Sequence, residues 1–448
     1  MTDKIERCNR YAEQLARLIR FETISYEEKR DPEKYAKFHE LLKQEFPALF
    51  AACEYENING SLLLKWKGAE GSGKEPVLFM NHMDTVDLQG EWEYPPLSGQ
   101  IAEGKVWGRG TLDNKGGLWG MLCAANELAA EGFVPGCDIY FESSCSEEIN
   151  ATDCGAFPVA QTLKERGVHF SMILDEGGMI TDEPVGGVHK NFAMVGLGER
   201  GCTSIKFTAK GKGGHASTPD KNSPLVQLGK FMAEVDRSRI FKVELADAIK
   251  EMLRRFAPFV DGPISKVYGN PEKFDAVLKA VMPMSSPTAK ALVQTTIAFT
   301  MAEGSNGLNV IPAEAYVIGN MRISHHQGFQ SSLDAIGKVA KKYGLEMTVL
   351  EEPNESKLSD FNSKAFKLIE DAVAACFDSV LTAPYIMTGC SDLRYLDFLG
   401  DNCFHFVPFV ISKEQMESIH GQNECVDVAT LAPAVDFYKM LMKGAANV

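Results

Sequence analysis

Three strand-sized apolar runs, each followed at once by polar and charged residues, constrain this chain most. PVLFM (Pro76–Met80) leads into NHMDT, CDIYFES (Cys137–Ser143) into SCSEE, and FSMIL (Phe170–Leu174) into LDEGG. Between the first two, KGGLWGMLCAANELAAEG (Lys115–Gly132) carries apolar residues at helical spacing and ends on glycine. Short apolar runs alternating with helices predict parallel strands covered by helices on both faces, a doubly wound α/β sheet. Polar residues then cluster just beyond the strand ends.

The pattern changes near Gly198. CTSIKFTAK, ALVQTTIAFTM and AEAYVIGNMRIS alternate as half-buried strands, and NSPLVQLGKFMAEV and 329–343 are helical in period. With a last strand at 345–350, the order β-α-β-β-α-β predicts a ferredoxin-like α+β unit at 197–352, inserted into a catalytic domain formed by 1–196 and 353–448. At 448 residues the chain exceeds a single core, which stops growing at about 250–300 residues. A helical stretch at 237–290 interrupts the inserted unit, and its role does not follow from its residues.

The balance of 46 Lys and Arg against 61 Asp and Glu gives a net charge of −15, which repels phosphate backbones and anionic lipid, so neither nucleic acid nor a membrane surface is an expected partner. No secretion signal opens the sequence, and no apolar run approaches the roughly 18 residues of a membrane span. The most apolar segment, Phe404–Ile411, is strand-sized. Eleven cysteines without a C-x-x-C spacing argue for reduced thiols and a cytoplasmic protein rather than a disulfide framework or thiolate zinc finger.

The residues with chemistry fall in five places: His82 and Asp84 in NHMDT, Asp113 in GRGTLDNKGG, Glu147 and Glu148 in SCSEEIN, Asp175 in LDEGG, and His420 in SIHGQNE. Loops beyond the carboxyl ends of different strands share one crevice in an open α/β sheet. Two imidazoles and several carboxylates brought together there demand a cation, and the donor set suits zinc or another borderline divalent ion. Any one of these motifs alone fits a solvated turn; their joint occurrence at strand ends carries the argument.

NHMDT, WGRGTLDNKGG, SEE, LDEGG, SIHGQNE and NVIP resemble, in order along the chain, the motifs of the co-catalytic two-zinc peptidases that include carboxypeptidase S, aminoacylase, glutamate carboxypeptidase and succinyl-diaminopimelate desuccinylase. LDEGG and the long insertion are most similar to the carboxypeptidase S and N-acyl-amino-acid hydrolase branch. The resemblance implies two zinc ions per chain, with manganese or cobalt as substitutes: His82, Asp113 and Asp175 on one, Asp113, Glu148 and His420 on the other. It implies Glu147 as general base and Asp84 as the carboxylate that orients His82. It further implies His215 on the transition-state oxygen from across a homodimer interface made by the lid, and Asn309 and Arg322 on the substrate carboxylate, with Arg394 as a further clamp.

The activity so implied is hydrolysis of an amide bond beside a free carboxylate, as in a carboxypeptidase or dipeptidase, or deacylation of N-acyl amino acids. A non-catalytic binding protein of the same fold is the rival, and it predicts loss of Glu147 or of a zinc ligand; none is missing. His39, His169, His189, His325, His326 and His405 are assigned surface or core roles.

Overall fold

The computed structural model describes residues 2–351 and 356–448. Its largest sheet has ten strands. At the centre, Val77–Met80 runs parallel to Ile139–Ser143 on one side and to Met172–Asp175 on the other, and Cys403–His405 runs parallel beyond that. Every residue of these four strands is buried, which is why they read as continuous apolar runs. Lys115–Ala130 covers one face together with Val428–Gly444 and Thr2–Arg20. Ala156–Glu165 covers the other, where Val159 and Leu163 join Leu78, Tyr140 and Ile173.

The flanks of the sheet are antiparallel: Ser61–Trp66 and Cys53–Ile58 on one side, and Phe192–Glu199 on the other, which also carries Leu381–Met387 in parallel. The doubly wound expectation therefore holds for the centre of a mixed sheet. The apolar segment Phe404–Ile411 is divided between Cys403–His405 and a second short strand, Val410–Ile411. Among the described residues no helix is long and apolar enough to cross a membrane.

A separate four-stranded antiparallel sheet orders Thr296–Glu303, Glu314–Ile323, Gly201–Lys210 and Glu346–Val349. With helices Pro224–Arg237 and Gly328–Lys342 packed on it, this is the ferredoxin-like lid, and strict alternation along Glu314–Ile323 buries one face around Phe207, Phe231 and Phe299. Its first strand begins at Gly201, because Leu197–Glu199 still belongs to the large sheet. The far boundary expected at 352/353 lies outside the described residues.

The helical insertion packs differently from the expectation of one inserted body at 197–352. Asp247–Phe256 is strongly amphipathic, and its stripe of Ile249, Met252, Leu253 and Phe256 joins the core of the large sheet. Phe256 and Phe259 meet Phe192 with ring centroids 4.7 and 5.8 Å away, and Arg255 Nη1 donates to the Thr382 carbonyl at 3.0 Å. Pro263–Tyr268, Asp275–Ser285 and Pro287–Val293 continue this layer before the chain returns to the lid.

Candidate metal centre

The site assembles from successive strand ends. His82 follows Val77–Met80, Glu147–Ile149 is a single 3₁₀ turn beyond Ile139–Ser143, and Glu176 follows Met172–Asp175. Adjacent parallel strands open their carboxyl ends onto one crevice, so these side chains meet without long loops. Asp113 arrives on the loop that starts the Lys115–Ala130 helix. Gly117 permits that approach, since a Cβ there would lie 2.3 Å from Oδ1 of both Asn81 and Asn114. His420 follows helix Lys413–Ser418 in the left-handed region, φ 58°, an uncommon backbone state for a non-glycine residue and one that aims its ring inward.

Asp113 divides its two oxygens between the imidazoles. Its Oδ1 is 2.9 Å from His82 Nε2 and its Oδ2 is 2.9 Å from His420 Nε2. Glu148 Oε2 lies 3.1 Å from the same nitrogen of His420, and Glu176 Oε1 lies 3.4 Å from His82 Nε2. Asn114 Nδ2 steadies Glu176 by donating to its other oxygen at 2.7 Å. A carboxylate oxygen of Glu147 lies within 4.8 Å of ligand-type atoms of His82 and Glu176.

Asp84 organises the cluster from behind and is fully buried. Its carbonyl accepts from His82 Nδ1 at 3.0 Å, which fixes the ring with Nε2 turned toward Asp113. Its carboxylate accepts from Glu147 N (3.1 Å), Glu148 N (3.2 Å) and Ser25 Oγ (2.7 Å). One side chain thus fixes both the ring and the turn.

Burial pushes the carboxyl groups of Glu147 and Glu148 above the usual carboxylate range, and Glu176 up to about 8. Hydrogen bonds to Asp113 and Glu148 push His420 up to about 10. Burial opposes charge on His82, but Glu176, Asp113 and Asp84 outweigh it and raise it well above an ordinary histidine. Left to itself the cluster must hold extra protons to offset its carboxylates, and a divalent cation would replace them. Glu148 Oε1, buried, has no hydrogen-bond partner among the described residues. Two imidazoles with four carboxylates and no thiol fit zinc, manganese or cobalt.

A family model described as Peptidase family M20/M25/M40 matches residues 78–444, a span that holds this whole cluster. The chain belongs to that family. It is 31% identical to the probable carboxypeptidase S-like 2 of Dictyostelium discoideum over 96% of this chain and 84% of that one. It is 28% identical to the N-fatty-acyl-amino acid synthase/hydrolase PM20D1 of Xenopus tropicalis, over 97% and 85%. Its fold matches that of the M20 family metallo-carboxypeptidase Sso-CP2 from Sulfolobus solfataricus with a TM-score of 0.70, 16% identity, and coverage of 98% of this chain and 99% of that one. The chain is a hydrolase of the M20 metallopeptidase family, and the chemistry of the family is amide-bond hydrolysis.

Within this M20 fold one expected ligand is corrected. Asp175 is the last residue of its strand, and its Oδ2 accepts from Ser391 Oγ (2.7 Å) and Leu393 N (3.1 Å), away from the imidazoles. Glu176, the next residue, faces His82 in its place. Successive residues of a strand point to opposite sides, so the adjacent carboxylates have separate duties. Asp175 pins the turn Asp392–Tyr395, from which Arg394 lines the cavity over the cluster and donates to Asn150 Oδ1. Arg322 lines the same cavity from the lid, with Nε donating to Asn320 Oδ1 at 3.1 Å.

His215 and Asn309 lie elsewhere. Both are exposed, His215 on a two-stranded ribbon of Gly214–His215 with Val310–Ile311 and Asn309 just before its second strand, and neither lines the cavity of its own chain. Ala216 N donates to the Asn309 carbonyl at 2.9 Å, and His215 Nδ1 meets Ser217 Oγ at 2.7 Å.

Three supporting residues escaped sequence reading. Glu424 is fully buried, takes Arg109 Nη1 at 2.6 Å, and accepts from Leu112 N (2.7 Å) and Asp113 N (3.1 Å), tying the His420 and Asp113 loops together. Both charges stand inside the motifs GRGTLD and SIHGQNE, which is the signal that could have found them. His405, assigned only a surface or core role, is buried and bonds through Nδ1 to the Glu176 carbonyl at 2.9 Å.

Proposed function

We propose that this chain is a two-zinc enzyme that cleaves the amide bond between an apolar acyl or aminoacyl group and an amino acid with a free carboxylate. The observation that carries the reading is the division of Asp113 between His82 and His420, which would let one carboxylate serve two cations. His82, Asp113 and Glu176 would hold one, and Asp113, Glu148 and His420 the other. When bound, such a pair polarises the substrate carbonyl and acidifies a water. Glu147, unligated and with its carboxyl raised by burial, takes the proton at its carboxylate and passes it to the departing nitrogen.

The cavity above the cluster has a volume of about 1720 Å³. Its polar side carries Arg322 and Arg394, whose planar forks suit a carboxylate. Its other wall comes from the helical insertion, with Met252, Leu253, Ile264, Tyr268, Met282 and Leu292. A wall so apolar favours substrates with an apolar acyl group over those with a polar one. This supports N-acyl amino acids, the substrates that the name of the Xenopus relative carries, beside dipeptides with an apolar first residue.

A homodimer completes the proposal. The lid strand Thr296–Glu303 is an open sheet edge with Met301 exposed, and Leu308 and Val310 are exposed at the start of the ribbon strand Val310–Ile311. In a symmetric dimer, His215 and Asn309 would serve the partner's crevice. Eleven unpaired cysteines support a cytoplasmic location. As domain limits we propose a catalytic body that includes residues 245–293, and a lid of 201–237 and 296–351.

A screen of metal-loaded enzyme against dipeptides and N-acyl amino acids, each with free and amidated C-terminus, tests the function. Turnover should require the free carboxylate and rise with apolar acyl groups. Failure to cleave either class with any of the three metals would end the hydrolase assignment for these substrates.

A further inference from the structure

Lid and catalytic body meet at two thiols. Cys202 stands on the lid strand Gly201–Lys210, directly opposite Arg322 in the ladder. Cys390 stands in the large domain, between strand Leu381–Met387 and the turn Asp392–Tyr395. Both are half-buried and both line the cavity, one on each side of Arg322. Arg322 Nη1 lies 2.8 Å from Cys390 Sγ, and Asn320 Nδ2 lies 3.7 Å from Cys202 Sγ. Cys390 Sγ also donates to the Arg200 carbonyl at 3.4 Å.

We propose that Cys202 and Cys390 are a redox modification site, converted by a hydroperoxide into a disulfide that ties the lid to the catalytic body. Three observations carry this. Two free thiols line one cavity and flank one guanidinium, Cys202 opposite Arg322 in the ladder and Cys390 Sγ 2.8 Å from its Nη1, which makes them the pair a disulfide here would join. A guanidinium and an amide donor beside them stabilise a thiolate, which is the reacting form. The cavity gives a small peroxide access that most of the other cysteines, buried in the core, do not offer. The Cys202 thiol is drawn down to about 6, first by the neighbouring Cys390 side chain, while Cys390 moves upward.

The steps balance. The Cys202 thiolate attacks one peroxide oxygen; an S–O bond forms, the O–O bond breaks, and the hydroxide released takes up the proton Cys202 gave up and leaves as water. Cys390 sulfur then attacks the sulfenic sulfur; the S–S bond forms, the S–O bond breaks, and the second hydroxide leaves as water with the Cys390 proton. Two thiols are oxidised by two electrons as one hydrogen peroxide is reduced, and a dithiol reverses the change. The disulfide takes the acceptor from Arg322 and locks its strand to the turn that carries Arg394. Both sides of the cavity are then fixed to each other, and substrate exchange slows.

The test uses the metal-loaded enzyme. It is titrated with hydrogen peroxide, its free thiols are blocked, and it is digested without reduction for mass spectrometry. A Cys202–Cys390 crosslinked peptide should appear before other cysteines react, turnover should fall along the same dose curve, and dithiothreitol should restore both. Cys145, buried, and Cys154, half-buried, line a second, smaller cavity and serve as an internal comparison. Cys202→Ser and Cys390→Ser, each referred to its own untreated rate, should lose the peroxide response. Absence of the crosslink while other cysteines oxidise overturns the proposal, and so does a crosslink that leaves turnover unchanged. The peptide readout needs neither variant to fold and does not depend on the substrate assignment.

Discussion

The two regions that contribute candidate site residues are built in opposite ways. At the sheet ends, His82, Asp84, Asp113 and Glu176 are held by several neighbours each, and Asp84 alone accepts three hydrogen bonds through its carboxylate. On the lid ribbon, His215 and Asn309 are exposed, and the ring of His215 is steadied only locally, by Ser217. The first region is complete within one chain. The second has functional residue types that line no cavity among the described residues, the arrangement that the proposed dimer would put to use.

The largest effects should come from the first region. Glu147→Gln should keep its metal content and lose roughly 10²–10⁴-fold in turnover, because the proton acceptor goes while the ligands stay. Elemental analysis beside kinetics checks it: an emptied site would make Glu147 a ligand. The adjacent pair sharpens the point. Glu176→Gln should lower bound metal, whereas Asp175→Asn should retain it and weaken the hold on the Arg394 turn. The reverse pattern would restore Asp175 as the ligand.

Next comes the ribbon. Removing one preorganised donor to a developing oxyanion costs about 10²–10³-fold, so His215→Ala should fall in that range. Mixing His215→Ala with Glu147→Gln under subunit exchange distinguishes cis from trans action. If His215 serves the partner, one site of each mixed dimer is intact, and activity should recover to about a quarter of the wild-type rate per chain. No recovery means that His215 serves its own chain and that the ribbon moves.

Arg322 stands between the regions, on a lid strand but facing the cavity. Arg322→Ala should cost roughly 10- to 150-fold in kcat/KM on substrates with a free carboxylate and leave amidated analogues nearly unchanged. Equal losses on both would assign Arg322 to holding the lid, through its contacts with Asn320 and Cys390.

What the sequence made legible follows the same division. The strands Val77–Met80, Ile139–Ser143 and Met172–Asp175 were readable because each is buried throughout, and the residues just past them had to share a crevice. The choice between Asp175 and Glu176 was not readable, since strand ends are uncertain by a residue or two and a shift of one reverses the face. The helix Asp247–Phe256 announces an apolar stripe, but not whether the lid or the large sheet will cover it. Glu424 was hidden for another reason: a buried carboxylate that orders backbone amides looks, in one dimension, like any charge near a loop.

The smallest effect is the most direct test of the contrast, because it concerns stability alone. Asp84→Asn replaces a carboxylate, which only accepts, with an amide whose NH₂ must face at least one of three donors: Ser25 Oγ, Glu147 N or Glu148 N. A buried donor left unsatisfied costs about 1–3 kcal/mol. His215→Ala removes contacts with Ser217 that solvent can replace, so its cost should stay within about 0.5 kcal/mol, as for ordinary surface positions. Both proteins should be unfolded by urea in the presence of a chelator, so that any difference in metal affinity does not enter the result. A clear loss for Asp84→Asn with none for His215→Ala gives the sheet ends a structural as well as a chemical role and leaves the ribbon with a chemical one only. If His215→Ala is the more destabilising, the ribbon is part of its own chain's framework, and the case for its serving a partner loses its physical basis.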